Sequence, residues 1–278
     1  MRHHSRTADH LNRRSLLACA GGIWLGALPG RSDAAEDGLA LARRVHERPD
    51  GRDVTSLVTM SLGQEGKPPR VRKMVVFRAN GGQGEVSTLI RFTEPADIHG
   101  TGLLTLDAAD GSTNQWIYLP AMQRVRRVDS NRQGGRFVNS DYYFEDLKDR
   151  KPAADVHRIV GREKVGNTAC EVLESTPVQA DNSVYLKRLS WIDPKSLLPL
   201  RMDFFERQVD RPSKRLTVSR LEPVQGYWTV LDSTLSDLES GHQTRLTVEK
   251  VVYDRRLPES LFTSRALAEE RLDRDHRP

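Results

Sequence analysis

Residues 92–106 read FTEPADIHGTGLLTL, residues 114–128 read NQWIYLPAMQRVRRV and residues 134–147 read GGRFVNSDYYFEDL. Pro95 ends a strand in this stretch, because proline has no amide hydrogen to give to a sheet ladder. Trp116 and Tyr118 are two residues apart, which places them on one face of a strand. An arginine-rich strand follows directly after a short turn. The stretch therefore predicts short antiparallel strands separated by turns.

The rest of the chain repeats this pattern. Turns rich in Gly, Pro, Asn and Asp separate runs of alternating apolar residues, which is typical of strands. Such runs lie at 54–62, 70–79, 85–93, 101–106, 115–119, 124–128, 156–165, 169–176, 184–192, 200–207, 214–221, 228–235 and 244–253. So many strands at short spacing favour one antiparallel sheet curled on itself, although periodicity alone does not distinguish this from a sandwich.

Helices are few in this pattern. Apolar residues at 39, 41, 42 and 45 predict an amphipathic helix from Gly38 to Arg48. Residues 139–153 interrupt the strand pattern, and Asp141 to Lys148 suits a helical turn or a short helix, so this segment is a candidate lid. The last residues, 264–278, have a helical composition and form a charged tail that we expect to fray.

The amino terminus is typical of an export signal. Arg13 and Arg14 precede the modestly apolar run Leu16–Leu28, and small residues near Ala34 suit cleavage close to residue 35. The twin-arginine interpretation is favoured over an ordinary secretory signal. The run is too short to span a membrane, and it lies mostly after Cys19, which argues against a lipidation signal. The predicted organisation is a signal at 1–35, one β domain at 36–263 and the tail at 264–278.

Charge and chemistry exclude several classes of function. The first 35 residues carry five arginines against two aspartates, which leaves 38 basic against 36 acidic residues and no indication of a nucleic-acid partner. Nucleophile-elbow and zinc-helix motifs are missing, and the histidines lack ligand spacing, so we predict no catalytic residue, metal or cofactor. After signal removal Cys170 is the only cysteine, which favours a small buried side chain.

Three motifs, taken in order, carry a resemblance to a known family. They are F-x-x-P-x-D-I-x-G-T-x-L-L from Phe92, W-x-Y-L-P-A-x-x-R-V-R-R-V from Trp116 and F-x-x-S-D-Y-x-x-E-D-L from Phe137. The chain resembles the outer membrane lipoprotein-sorting proteins, within the LolA/LolB/LppX group of periplasmic lipid and lipoprotein carriers. The resemblance implies a mainly β, half-open antiparallel barrel with an N-terminal helix and short lid helices.

The resemblance also implies a carrier that shields acyl chains on a concave apolar face. Apolar strand faces otherwise indicate an ordinary core, and the resemblance favours a groove. The candidate groove residues are Phe92, Leu104, Trp116, Tyr118, Met202 and Phe204. A charged rim for phosphate head groups or a membrane-bound partner, as opposed to plain surface ion pairs, would use Arg124, Arg126, Arg127, Asp141 and Glu145.

The predicted function is that of a periplasmic carrier for a lipid or lipoprotein on its way to the outer membrane. The family further implies an inner-membrane lipid-exporting transporter as a partner, although no residue of the chain indicates one. One alternative is an accessory subunit whose apolar face binds an envelope protein. The other is an envelope hydrolase whose catalytic residues are far apart in the sequence.

Overall fold

The computed structural model describes residues 31–64, 66–129 and 134–278, and the side chains of 31–35 are not described. The predicted signal and Cys19 lie almost entirely outside these residues. Helix α1 is Arg31–His46 and helix α2 is Ser264–Ala268. The strands are β1 Asp53–Gln64, β2 Arg70–Asn80, β3 Val86–Glu94, β4 Gly102–Asp107, β5 Thr113–Leu119, β6 Arg124–Arg127, β7 Asp155–Val165, β8 Thr168–Pro177, β9 Lys187–Ile192, β10 Pro199–Phe205, β11 Lys214–Val224, β12 Tyr227–Asp237 and β13 His242–Tyr253.

The thirteen strands form one antiparallel sheet in the order β6-β5-β4-β3-β2-β1-β13-β12-β11-β10-β9-β8-β7. Every neighbour pair is a hairpin except the pair of β1 and β13, which joins the first strand to the last. Among the described residues, strands β6 and β7 each pair on one side only and form the two edges, so the sheet is open. The predicted mainly β, half-open barrel is confirmed, as is each of the thirteen strands.

Strand pairing divides the side chains between two faces. Directly paired residues share a face, and one chain of pairs links Phe92 to Met74 and Val58. In the other half, Leu235 pairs with Leu216, which pairs with Met202. We call the face that carries these residues the inner face. The opposite, outer face carries Leu104, its neighbour Trp116, and the buried Phe77 and Leu89.

The predicted lid lies on the inner face. Residues 134–154, which we call the lid segment, connect edge strand β6 to edge strand β7 and form single 3-10 turns at Phe137–Asn139, Glu145–Leu147 and Pro152–Ala154. Phe137 packs against Phe92 with ring centroids 5.8 Å apart. Of the two possibilities predicted for Asp141 to Lys148, the segment forms the single helical turn, and the Asp146 carboxylate accepts the Tyr143 amide hydrogen there.

Helix α1 covers the inner face at the other end of the sheet, where Leu41 and Ala42 pack against Leu173 and Ile192. The helix approaches β7 closely at Gly38. A Cβ atom there would lie 2.6 Å from the backbone carbonyl of His157. No described helix is long and apolar enough to cross a membrane.

The C-terminal segment 257–278 packs on the outer face. Leu261, Phe262 and Leu267 are buried against the cluster that contains Leu104 and Trp116. Arg91 and Asp273, both fully buried, form an ion pair of 2.5 Å, and Arg91 also donates to the carbonyl oxygens of residues 100, 266 and 267. The expectation of a frayed tail is therefore wrong.

Two further sequence predictions concern β8 and β9. Cys170 is 1% exposed and unpaired, which confirms a small buried side chain. Strand β9 begins at Lys187, not at Val184. The Val184 amide donates to the Glu145 carboxylate at 2.8 Å, and Tyr185 is buried beneath the lid segment. This contact with the lid takes the start of the predicted strand out of the sheet.

Candidate functional site

A pocket of about 260 Å³ lies between α1, the end of the lid segment and the inner face of β8–β10. Its apolar wall comes from two sources: Ala42 and Val45 of the helix, and Leu173, Ile192 and Met202 of the sheet. These residues are positioned by the helix period on one side and by strand alternation on the other. The pocket is therefore a space that the helix covers but does not fill.

One end of the pocket is charged. Asp155 accepts hydrogen bonds from Arg150 at 2.7 and 2.8 Å and from Arg188 at 2.8 and 3.0 Å. Burial raises the pKa of Asp155, but the hydrogen bonds and charges of the two arginines outweigh it and hold that pKa below its usual range. These three residues, which we call the triplet, connect the lid segment to strands β7 and β9.

Two histidines line the same end. His157 is buried, and its ring nitrogens contact the Ser175 hydroxyl and the Pro152 carbonyl, both at 2.9 Å. Burial lowers the pKa of His157, so its ring is neutral at pH 7. His46 contacts Asp149 at 3.1 Å, and Asp149 also binds Lys151 at 2.6 Å.

A second pocket, of about 430 Å³, lies on the other side of α1. It is lined by Leu39 and Arg43 of the helix and by Glu47, which follows the helix, and it shares its remaining polar lining with the first pocket. The residues common to both pockets are His46, Lys151, Pro152 and Asp155. The two pockets therefore meet at the charged end, and the first continues from there along the apolar wall.

A buried polar network holds the middle of the lid segment against the sheet. Lys214 is 1% exposed; its ammonium donates to the Asp141 carbonyl at 2.8 Å and lies over the Tyr143 ring. Burial lowers the pKa of Lys214 and raises that of Asp146, although each attracts the charge of the other at 3.8 Å. The lid is fixed here by charge as well as by apolar packing.

The predicted groove residues lie on both faces of the sheet. Phe92, Met202 and Phe204 are on the inner face, and among them Met202 lines the pocket beneath α1. Leu104, Trp116 and Tyr118 are on the outer face beneath the C-terminal segment. The six residues do not line one surface, and lipid contact by any of them stays a prediction.

The predicted rim residues are also separated. Arg124, Arg126 and Arg127 are exposed on edge strand β6. Asp141 is fully buried and binds Arg136, His242 and Thr244. Glu145 is 4% exposed and accepts from Val184. The acidic members belong to the buried network of the lid, whereas the arginines face solvent.

Sequence reasoning missed most of the pocket. Ser175, Arg188 and Ser190 are polar residues on the inner face of β8 and β9, beside the apolar Leu173 and Ile192. Their alternation was the sequence signal for this pocket, because polar residues on an inward strand face need a partner or a cavity.

Among the described residues, no group of three or more His, Cys, Asp or Glu side chains is arranged to hold a metal.

Comparisons with known proteins show a family match and solved structures of similar fold. A family model described as "Uncharacterized protein" matches residues 84–269. No curated protein matches the chain. A DUF1329 family protein from Desulfovibrio piger is 29% identical with a TM-score of 0.79, and the match covers 84% of this chain and 99% of that one.

Two other solved structures share the fold. A candidate outer membrane lipoprotein-sorting protein domain from Vibrio parahaemolyticus is 27% identical with a TM-score of 0.79, and the match covers 84% of this chain and 100% of that one. A LolA superfamily protein from Nitrosomonas europaea, at 18% identity and a TM-score of 0.63, covers 84% and 99% respectively. The family match spans more than half of the sequence, so the chain belongs to the family that this model describes, and it has the LolA-like fold.

Proposed function

We propose that this protein is a non-catalytic periplasmic carrier that shields an acyl chain of a lipid or lipoprotein in the pocket beneath α1. The observation that carries the proposal is the form of the pocket, an apolar wall that leads to a charged end. The similarity to a candidate lipoprotein-sorting domain supports the same ligand class.

The two parts of the pocket suit the two parts of an amphipathic ligand. Each ligand methylene removed from water contributes about 0.8 kcal/mol to the free energy of binding. The wall formed by Val45, Leu173 and Met202 therefore favours a hydrocarbon chain. Arg150 and Arg188 lie at the opposite end, where a polar head group remains near water. The volume is close to the lower limit of small-molecule pockets, which suits a single chain.

The test is a binding titration with a fluorescent fatty acid. Val45→Trp should fill the pocket from the helix side and weaken binding at least tenfold. Val209→Trp is the matched control, because Val209 is 61% exposed in the loop between β10 and β11. We expect the parent and the control to bind with the same saturable affinity.

Two results would contradict the carrier proposal. The first is a parent protein that binds no fatty acid, which would favour an accessory role in binding an envelope protein. The second is a Val45→Trp variant that stays folded and binds like the parent, which would place any ligand outside this pocket.

We further propose that the chain reaches the periplasm through a twin-arginine signal at residues 1–35 and that residues 36–263 act as one domain, on which residues 264–278 pack. Changing Arg13 and Arg14 to Lys should leave the precursor in the cytoplasm, while N-terminal sequencing of the exported parent should begin between Ala34 and Glu36. Normal processing of the double variant would contradict the twin-arginine route. A lipid-exporting transporter as partner remains part of this proposal.

A further inference from the structure

We propose that the β5–β6 hairpin docks this protein on the surface of an anionic phospholipid bilayer. The docking element consists of the turn 120–123 and strand β6. The inference rests on the proposed function, because a carrier of lipid has to meet a membrane to load or release its cargo.

The first observation is uncompensated positive charge. Arg124, Arg126 and Arg127 are exposed on an edge strand, and among the described residues none of them forms an ion pair. They lie on both sides of this edge, since Arg126 pairs with Ile117 of the inner face and Arg127 pairs with Trp116 of the outer face. Arg127 donates instead to the side-chain oxygen of Asn114. The nearest acid along the chain, Asp129, leaves residues 124–129 with a net positive charge.

The other edge strand shows the contrast. On β7, Arg158 pairs with Glu174 at 2.8 Å and Arg162 pairs with Glu171 at 3.2 Å. Both edges have charged side chains that oppose strand-to-strand aggregation. Within the described ranges, neighbouring carboxylates balance the charge on β7 but not the charge on β6, so discouraging aggregation does not by itself require the free charge on β6.

The second observation is an apolar tip beside this charge. Met122 is 47% exposed at the end of the hairpin. Pro120 starts the turn, Gln123 closes it with a φ of 47°, and a Cβ atom on Gly100 would lie 3.2 Å from the Pro120 ring. The tip therefore lies close to the loop before β4, and Met122 is exposed at its end.

An anionic membrane surface matches both features. Arginine guanidinium groups bind phosphate oxygens in pairs of hydrogen bonds, and basic residues are attracted to anionic head groups over about a Debye length. An apolar side chain held next to them can enter the boundary between head groups and acyl chains.

The experiment is co-sedimentation of the exported protein with phosphatidylcholine vesicles that contain or lack phosphatidylglycerol. The parent should bind the anionic vesicles, and added salt should release it. The variant Arg124→Gln/Arg126→Gln/Arg127→Gln should lose roughly fivefold in affinity per arginine. Its matched control, Arg158→Gln/Arg162→Gln/Arg220→Gln, removes the same charge from ion-paired positions and should keep the parent affinity.

The outcomes separate this proposal from the proposed function. Equal losses in the two triple variants, or a parent that ignores the anionic vesicles, would overturn the docking surface. Fatty-acid binding by the β6 variant should be unchanged, and its thermal midpoint shows that it is folded. If it does not fold, the Lys versions of the three arginines should retain vesicle binding. Vesicle binding without fatty-acid binding would remove the carrier proposal and leave the docking surface in place.

Discussion

Single residues decide how closely the helix and lid lie on the sheet. Gly38 permits an approach to β7 that no residue with a Cβ atom allows, since that atom would lie 2.6 Å from the His157 carbonyl carbon. Glycine is otherwise a poor choice inside a helix, where alanine is favoured by about 1 kcal/mol. The contact of Gly38 with β7 therefore outweighs its local cost.

Gly38→Ala should destabilise the protein by about 1–3 kcal/mol in spite of the gain in helix propensity, because α1 has to move off the strand. Chemical denaturation measures this change. Gly161→Ala is the control on the same strand, since a Cβ atom there meets nothing within 4 Å. A stabilised Gly38→Ala variant would show that α1 does not pack on β7 in this way.

At the scale of elements, the lid segment joins the two halves of the sheet. Phe137 belongs to the apolar cluster of β1–β4, whereas Tyr142 and Tyr143 pack with the cluster of β10–β12. Its end is fixed by the triplet of Asp155, Arg150 and Arg188 at the charged end of the pocket. Substitutions in this triplet should therefore alter both the position of the lid segment and the charged end of the pocket.

Asp155 gives the lid a dependence on acid. Its pKa is lowered in the folded state, so its contribution to stability is present above the unfolded value of about 3.9 and is lost as the pH falls through the folded value. Asp155→Asn should lower the free energy of unfolding by about 3 kcal/mol at pH 7. Below about pH 4 the variant should lose less stability than the parent as the pH falls. Denaturation at a series of pH values tests this, with the exposed Asp210→Asn as control. The same acid dependence in parent and Asp155→Asn would contradict it.

At the scale of the whole molecule, the sequence predicts local features well and long-range contacts poorly. Each strand was predictable because alternation and turn residues act within a few positions, and the burial of Cys170 followed from its strand. The contact of Asp141 with Thr244 spans 103 residues, and the packing of Gly38 on His157 also joins distant segments. No local pattern encodes such pairs.

The same limit explains the placement of the candidate groove. A period of two residues identifies two faces for every strand but does not say which segment of the chain covers each face. Trp116 therefore suited a groove as well as a core, and the C-terminal segment that covers it is more than 100 residues away along the chain. The same period places Ser175 and Arg188 on one face, but it does not identify the helix that covers that face and closes the pocket.

The two faces of the sheet should respond differently to substitution. Trp116→Ala removes a half-buried ring from beneath the C-terminal segment, so it should lower the free energy of unfolding by about 2–3 kcal/mol. Fatty-acid affinity per folded molecule should stay unchanged. Met202→Ala shortens the wall of the pocket on the inner face and should weaken fatty-acid binding several-fold.

The pair of variants separates a ligand in the inner pocket from a ligand on the outer face, since one set of titrations and denaturation curves gives both quantities for both variants. A Trp116→Ala protein that stays as stable as the parent but loses affinity would place the acyl chain on the outer face, in exchange with the C-terminal segment. Loss of affinity only in Met202→Ala would place the acyl chain beneath α1. The sheet lies between the Met202 and Trp116 side chains, so neither can contact a ligand on the other face.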